Sequence, residues 1–149
     1  MLTRLKKRMN NEIKLINDMS DAFVDNFLID NDNMVVYLFK NNVYFIIKMT
    51  FERTYPFTPP YTTIGVEKNY NYKKILCDLQ TLFPLLNKYD SDDACLCCSS
   101  LVCKENWGPT INLSEIIKEI SKLLDKCFLE ININLRKKIY NKYLGYSII

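Results

Sequence analysis

The sequence predicts a single α+β domain spanning residues 1–149, and three observations support this. The chain is 48% hydrophobic and 25% charged, which at 149 residues is typical of one folded domain. A helical apolar repeat fills the first 19 residues, and short runs rich in Val, Ile, Phe and Tyr follow. A second helical repeat comes after residue 110. One helix, then strands, then further helices is an α+β order.

Residues 2–19 are predicted to form an amphipathic helix. Its apolar side chains recur at steps of three and four, which places them on one face: Leu2, Leu5, Met9, Ile13 and Ile16. Basic side chains surround the first two turns: Arg4, Lys6, Lys7 and Arg8. On its own, such a charge run is typical of a solvated helix face.

Four strands are predicted next, as an antiparallel meander. They are FVDNFLI (23–29), NMVVYLF (33–39), VYFIIKMTF (43–51) and YTTIGV (61–66). The KNN turn at 40–42 is short enough to join the second and third as a hairpin. The proline loop, YPFTPP at 55–60, cannot lie inside a sheet because prolines lack the donor that a ladder needs.

Helices are predicted for the rest of the chain, around an irregular segment at 67–94. Ile75, Leu79 and Leu82 fit a short helix that Pro84 would end. The strongest helical pattern begins at Asn112, where an N-cap and Glu115 form a capping box. Its apolar face comprises Ile116, Ile117, Ile120, Leu123 and Leu124. A last helix is predicted in LRKKIYNKYL, residues 135–144.

Composition excludes several classes of function. The chain contains no His, which removes every mechanism and metal site that needs imidazole. A net charge of +3 is too small to predict nucleic-acid binding. No run approaches the ~18 apolar residues of a membrane span. The charged N-terminus does not resemble a signal peptide, so we expect a cytoplasmic or nuclear protein with reduced thiols.

Four of the six cysteines lie within nine residues: Cys95, Cys97, Cys98 and Cys103. Cys95 and Cys98 have the C-x-x-C spacing of half a zinc site, but a second pair is missing and no His can complete it. We therefore expect no metal. Buried thiols, together with one reactive thiol, are the interpretation that a reducing compartment favours.

Two motifs and their order resemble the ubiquitin-conjugating enzyme family. In that family a Tyr-Pro-Phe-x-Pro-Pro loop follows the third strand, as at 55–60 here. A His-Pro-Asn segment, the active-site Cys-Leu pair and a Trp-x-Pro follow. FPLLNKYDSDDACL aligns with the first two without a gap, placing Asn87 on the family's Asn and Cys95 on its catalytic Cys. Trp107-Gly108-Pro109 matches the Trp-x-Pro, and TINLSEIIKEISKLL matches the central helix.

The chain departs from the family pattern at several points. Leu85 and Leu86 replace the His and Pro of His-Pro-Asn. The stretch between Pro60 and Cys95 is longer than usual, which predicts an insertion around 67–82. The Gly-rich linker before the third strand is reduced to the KNN turn, and the short remainder after the central helix predicts a shortened C-terminal helical part.

Two cysteines compete for the catalytic position. Four extra residues separate Cys95 from Trp107, and Cys98 lies almost at the family's distance from that Trp. Choosing Cys98 loses both the Cys-Leu pair and the spacing to Asn87, a side chain suited to stabilise an oxyanion. Cys95 is therefore the predicted nucleophile, with Cys98 as its rival.

The resemblance implies an acyl transferase that needs no cofactor. The Cys95 thiolate would accept the C-terminus of ubiquitin as a thioester from an activating enzyme and pass it to a substrate lysine or a ligase. Asn87 would order the loop or stabilise the oxyanion. A nearby carboxylate would assist the lysine, with four candidates in the sequence: Asp92, Asp93, Asp125 and Glu130.

The resemblance also implies two partner surfaces. Three residues match positions that contact RING or HECT-type ligases: Phe57, Pro109 and Thr110. Three match the face used for the activating enzyme: Lys6, Lys7 and Arg8. Neither nucleic acid nor a membrane is an expected partner. Loop packing, a helix start and a solvated face explain the same residues without a partner.

Two other functions remain open. The first is conjugation of a ubiquitin-like modifier, as in neddylation. The segment FLEIN after the central helix resembles that branch of the family, whereas Phe57 in the proline loop favours ubiquitin. The second is a catalytically inactive binding module related to this fold or to the RWD domain. Leu85 and Leu86 favour that module, whereas the Asn-to-Cys spacing and the Trp-x-Pro favour an enzyme.

Overall fold

A computed structural model describes residues 2–28, 32–66, 68–82 and 99–126. Two helices and five strands have these bounds: α1 Leu2–Asn17, β1 Ala22–Leu28, β2 Asn33–Lys40, β3 Val43–Thr50, β4 Tyr61–Gly65, β5 Asn69–Asn71 and α2 Tyr72–Leu82. Residues 113–126 are also helical and are called the central helix below. The molecule is therefore α+β, with an N-terminal helix, an antiparallel sheet and a helix after it, as the sequence predicts.

The five strands pair in sequence order, each antiparallel to the next. The predicted β2–β3 hairpin is confirmed: Lys40 pairs with Val43 across a two-residue turn. Both turn residues, Asn41 and Asn42, have positive φ angles, of 50° and 63°. Asparagine tolerates this left-handed backbone better than most residues, which explains why the chain needs no glycine there.

The prediction of a four-stranded sheet was wrong, because β5 adds a fifth strand. Its sequence, Asn-Tyr-Asn, has low strand propensity and none of the apolar alternation that marks the other four. Its side chains compensate with hydrogen bonds. Asn69 Nδ2 donates to the Ile46 carbonyl oxygen at 3.1 Å and to Thr63 Oγ1 at 3.0 Å. These hydrogen bonds add to the backbone pairing with β4 and to the packing of Tyr70 against the core.

One face of the sheet and the central helix share a single hydrophobic core. The inner-face residues of β2, β3 and β4 pair across the strands and are buried: Met34, Val36, Leu38, Phe45, Ile47, Met49 and Ile64. The central helix contributes fully buried side chains: Leu113, Ile116, Ile117, Ile120 and Leu124. Its predicted apolar face is thus confirmed. One half of the predicted capping box is present, since the Asn112 N–H donates to Glu115 Oε2 at 2.6 Å, while the Glu115 N–H donates to the Asn112 backbone carbonyl oxygen at 3.0 Å.

The outcome for the irregular segment is mixed. The helix predicted through Ile75 is present as α2, with Ile75 and Leu76 buried in the core. Residues 69–82, most of the predicted insertion, form β5 and α2. The predicted helix at 135–144 and the shortened C-terminal part lie outside the described residues. Where the chain is described, no helix is both long and apolar enough to cross a bilayer.

Candidate functional site

A hydrogen bond joins the two motifs that carry the family resemblance. The Trp107 indole N–H donates to the Pro56 carbonyl oxygen at 2.8 Å, across 51 positions of sequence. Trp107 is buried, with its ring centroid 6.3 Å from that of Tyr55, which in turn lies 4.7 Å from that of Phe51. The aromatic cluster therefore fixes the proline loop beside the Trp-Gly-Pro segment.

The three predicted ligase-contact residues are all exposed. Phe57 directly follows the bonded Pro56, and its side chain is 76% exposed. Pro109 and Thr110 follow the bonded Trp107 and are exposed as well. An exposed Phe side chain offers an apolar contact for another protein. The hydrogen bond between Trp107 and Pro56 brings together the two chain segments that carry these residues.

Arg8 of α1 binds the backbone of the Trp-Gly-Pro segment. Its guanidinium donates to the carbonyl oxygens of Pro109 at 2.6 Å and Ile111 at 3.1 Å. The guanidinium carbon also lies 5.4 Å from the centroid of the Tyr55 ring, within cation–π range. Arg8 therefore has a structural task inside the fold. Of the predicted activating-enzyme contacts, Lys6 and Lys7 are the exposed ones.

Glu12, one turn after Arg8, is a buried carboxylate that sequence reasoning missed. Its Oε2 accepts the Leu113 N–H at the start of the central helix, and its Oε1 lies 3.9 Å from Arg8 Nη2. Burial raises the pKa of Glu12, while the Leu113 hydrogen bond and the Arg8 charge oppose the rise. The signal was available, since Glu12 falls between Met9 and Ile16 in the apolar phase of α1.

The same surroundings act on Tyr55. Burial raises the pKa of Tyr55 to about 12, with a further contribution from the Glu12 charge, against the opposing effect of Arg8. The phenol therefore stays neutral across the physiological range. This group of side chains joins α1, the proline loop and the central helix, and its role is to hold the exposed loops in place.

A second missed carboxylate, Glu119 of the central helix, binds residues 100–101, which lie between Cys98 and Cys103. Glu119 Oε2 accepts the Ser100 hydroxyl at 2.6 Å and the Tyr72 hydroxyl of α2 at 2.7 Å. Glu119 Oε1 accepts the Leu101 N–H at 2.8 Å. One side chain thus connects residues 100–101 to both helices. Its position three residues after Ile116, at the edge of the apolar stripe, was the available signal.

Hydrogen bonds also link Ser100 to Trp107 through Cys103. Its carbonyl oxygen accepts the Cys103 N–H at 3.1 Å and Asn106 Nδ2 at 3.0 Å. The Cys103 carbonyl oxygen then accepts the Trp107 N–H at 3.0 Å. Residues 100–107 are therefore a series of hydrogen-bonded turns that runs from Glu119 to the Trp-Gly-Pro segment.

An open groove lies beside these turns. Its lining combines apolar side chains, hydroxyl groups, two lysines and one carboxylate: Tyr72, Leu76, Ser99, Ser100, Glu119, Lys122, Leu123 and Lys126. The described segment nearest in sequence to the predicted thiols thus borders a concave surface of the protein.

Asp125 is the only one of the four candidate assisting carboxylates that lies in the described part of the chain. Its Oδ1 accepts Lys40 Nζ of β2 at 2.8 Å, and Lys40 also lies 3.7 Å from Asp21 Oδ2. The ion pair connects the last described turn of the central helix to the sheet. Asp125 therefore has a structural partner, and its predicted role in assisting a lysine stays a prediction.

The predicted nucleophile, its rival and the predicted oxyanion group lie outside the described residues: Cys95, Cys98 and Asn87. Three candidate carboxylates do so too: Asp92, Asp93 and Glu130. Within the described ranges, no group of three or more His, Cys, Asp or Glu side chains is arranged to hold a metal ion. Comparison with family models and with curated proteins found no match to this chain.

Proposed function

We propose that this chain is a ubiquitin-conjugating enzyme with the fold of that family. The observation that carries the proposal is the hydrogen bond from the Trp107 indole to the Pro56 carbonyl oxygen. It shows that two motifs, quoted above for their resemblance to that family, also meet in space. Next to this contact, Phe57 of the proline loop is exposed, and the central helix begins six residues after Trp107.

The fold supports the same proposal. The N-terminal helix, the antiparallel sheet in sequence order and the helix after the Trp-Gly-Pro segment follow the order expected from the resemblance. The exposed Lys6 and Lys7 provide a basic surface on α1 for the activating enzyme. Phe57, Pro109 and Thr110 provide exposed side chains for a ligase.

The proposed reaction has two acyl transfers. In the first, the Cys95 thiolate attacks the carbonyl carbon of the thioester on the activating enzyme, and the cysteine of that enzyme leaves as a thiolate. In the second, the amine of a substrate lysine attacks the new thioester. The Cys95 sulfur leaves as a thiolate, and the attacking nitrogen gives up its proton to a carboxylate or water. Asn87 would hydrogen-bond the oxyanion formed in each step.

A charging assay tests this proposal. The purified chain is incubated with ubiquitin, its activating enzyme and ATP, and then run on a non-reducing gel. We expect a band that carries one ubiquitin and disappears with reductant. Cys95→Ala should abolish it, Cys95→Ser should give a reductant-resistant ester, and Cys77→Ala is the matched control on α2, where the thiol is exposed.

Each other outcome has a definite meaning. A band that persists in Cys95→Ala and disappears in Cys98→Ala assigns the thioester to Cys98. A band with a ubiquitin-like modifier and its own activating enzyme, but not with ubiquitin, changes the modifier and keeps the chemistry. Absence of a band with either modifier refutes the enzyme and favours the binding module.

A further inference from the structure

We propose that the outer face of the sheet binds a second copy of this chain and forms a weak two-fold dimer. The surface is called the aromatic patch, and it consists of four side chains on β1, β2 and β3: Phe23, Tyr37, Phe39 and Tyr44. The inference does not rest on the proposed function, because it uses only the strands and their exposed side chains.

The four rings form one continuous cluster. Phe23 pairs with Tyr37 in the strand register and stacks on it, with ring centroids 5.3 Å apart. Phe39 pairs with Tyr44, with centroids 4.7 Å apart, and the Tyr44 ring also meets the Tyr37 ring edge-on at 6.2 Å. Leu38, between Tyr37 and Phe39, is fully buried in the core. Strand alternation therefore places the rings on the face that points away from the core.

Three of the rings remain exposed in the folded chain. Phe23 is 44% exposed, Phe39 41% and Tyr44 53%. Cross-strand aromatic pairs stabilise a sheet, but a phenylalanine ring has no polar atom to place in water. At about 200 Å² for a whole aromatic side chain, the three expose roughly 280 Å² of contiguous surface. Apolar patches of this order on a monomer often mark a contact with another protein.

The size and composition of the aromatic patch fit a transient homodimer. All four side chains are Phe or Tyr, types that are enriched at the centres of interfaces, where charged residues are rare. Roughly 280 Å² on each copy, widened by a polar rim, stays below the about 800 Å² per partner of a standard stable interface. We therefore expect a dissociation constant on the order of 100 µM.

Two charged residues beside the patch indicate that the occupant is a second copy. Asp25 and Lys48 lie at one level of the sheet, on either side of β2. Lys48 pairs with Val35, and Val35 pairs with Asn26, the residue after the irregularity at Asp25. Asp25 and Lys48 are both exposed, and neither forms an ion pair with another described residue.

A two-fold axis parallel to β2 would make these charges complementary. Such an axis places β1 of one copy over β3 of the other, so that Asp25 of each copy faces Lys48 of the second copy. Within one chain, two strand spacings separate the two charges by about 10 Å. That distance exceeds the screening length of about 8 Å in physiological salt. The attraction is therefore available to a dimer and is weak within the monomer.

Sedimentation equilibrium between about 10 µM and 1 mM, in reductant, measures the self-association. The wild type should shift from monomer toward dimer, and Tyr44→Ala should raise the dissociation constant about tenfold, as expected for an aromatic anchor. Tyr61→Ala is the matched control. Tyr61 is also 53% exposed, but it pairs with Thr50, at a point on β3 about 20 Å from Tyr44. Its dissociation constant should stay within about twofold of the wild type.

Charge reversal tests the two-fold arrangement. Asp25→Lys alone and Lys48→Glu alone bring like charges together at two places in the dimer, and each should raise the dissociation constant about fivefold. The double variant restores opposite charges and should return to within about twofold of the wild type. The thermal midpoint at low protein concentration should stay level throughout, because both side chains are exposed.

The inference is overturned by a wild-type chain that remains monomeric at 1 mM. Equal losses for Tyr44→Ala and Tyr61→Ala would also overturn it, because the contact would then lie elsewhere. If the patch resonances shift on titration with ubiquitin while the chain stays monomeric, the patch binds the modifier and not a second copy. Should Tyr44→Ala fail to fold, the charge series decides, since a double variant as weak as the single ones contradicts the two-fold dimer.

Discussion

At the scale of single residues, Glu12 is a buried carboxylate whose pKa is raised by its surroundings. Its carboxylate is buried on α1, between the backbone of the central helix and the Arg8 guanidinium. Burial of a charge is unfavourable, so the folded protein retains the Glu12 proton to higher pH than the unfolded chain does. This difference links protonation to folding.

The link predicts a pH dependence of stability that Glu12→Gln removes. The folded pKa of Glu12 is raised above its ordinary value of 4.5, so above that pH the folded state binds more protons than the unfolded state. The unfolding free energy of the wild type, minus that of Glu12→Gln, should therefore fall as pH rises from 4.5 through the raised pKa. Urea unfolding of both proteins over a pH series measures it. A difference that stays level or rises would contradict the assignment.

Some residue-scale features follow from neighbouring residues in the sequence, and others depend on contacts with distant residues. The burial of Met9, Ile16 and Ile117 follows from helical periodicity and was predicted. The partners of Arg8, Glu12 and Glu119 were not predicted, because these side chains meet groups that lie 18 or more positions away. The ion pair between Arg8 and Glu12, four positions apart, is the exception. Periodicity places a side chain on a face; it does not say what lies opposite.

At the scale of elements, the β4–β5 hairpin depends on close backbone approach. A Cβ at Gly65 would lie 1.8 Å from the Lys68 carbonyl oxygen, a backbone atom that cannot move aside alone. Gly65 also pairs with Asn69 in the sheet register. Glycine at this position therefore permits the turn that adds the fifth strand.

Gly65→Ala should consequently destabilise the protein by about 1–3 kcal/mol, the usual cost of forcing an extra group into a packed site. Gly108→Ala is the control, since a Cβ there has no atom within 4 Å; its effect should stay within about 0.5 kcal/mol. Urea unfolding measures both. Equal losses for the two variants would show that the close approach at Gly65 has no energetic consequence.

Elements with strong local patterns were predictable, and β5 was not. The alternation in β2 and β3, the asparagine turn between them and the capping box of the central helix each specify their own structure. Asn-Tyr-Asn specifies nothing by itself, and becomes a strand because β4 offers it an edge and Asn69 finds acceptors on β3 and β4.

At the scale of the whole molecule, Trp107 lies where several parts of the chain meet. It is the single tryptophan, it is buried in the one core cluster, and its indole binds the proline loop. Arg8 brings α1 to the same place through Pro109. Loops, first helix and central helix are therefore expected to unfold together rather than piecewise.

Tryptophan fluorescence tests this cooperativity. On urea unfolding, the emission of Trp107 should shift to longer wavelength as the indole enters water. Its midpoint should coincide with that of far-UV circular dichroism, which reports α1, α2 and the central helix. Two separate midpoints would mean that the loops around Trp107 open before the helices and sheet, and would refute a single cooperative unit.

Local patterns in the sequence were enough to predict the α+β class, α1, four strands, the β2–β3 hairpin and the buried face of the central helix. Each is encoded by periodicity, turn chemistry or capping within a few neighbouring residues. Three features became visible only in the folded molecule: Trp107 contacts Pro56, Glu119 contacts Ser100, and β5 joins the sheet. These pairings join positions that are distant in sequence or lack a local pattern. They depend on which surfaces pack against each other in the folded protein, and local sequence patterns do not specify those surfaces.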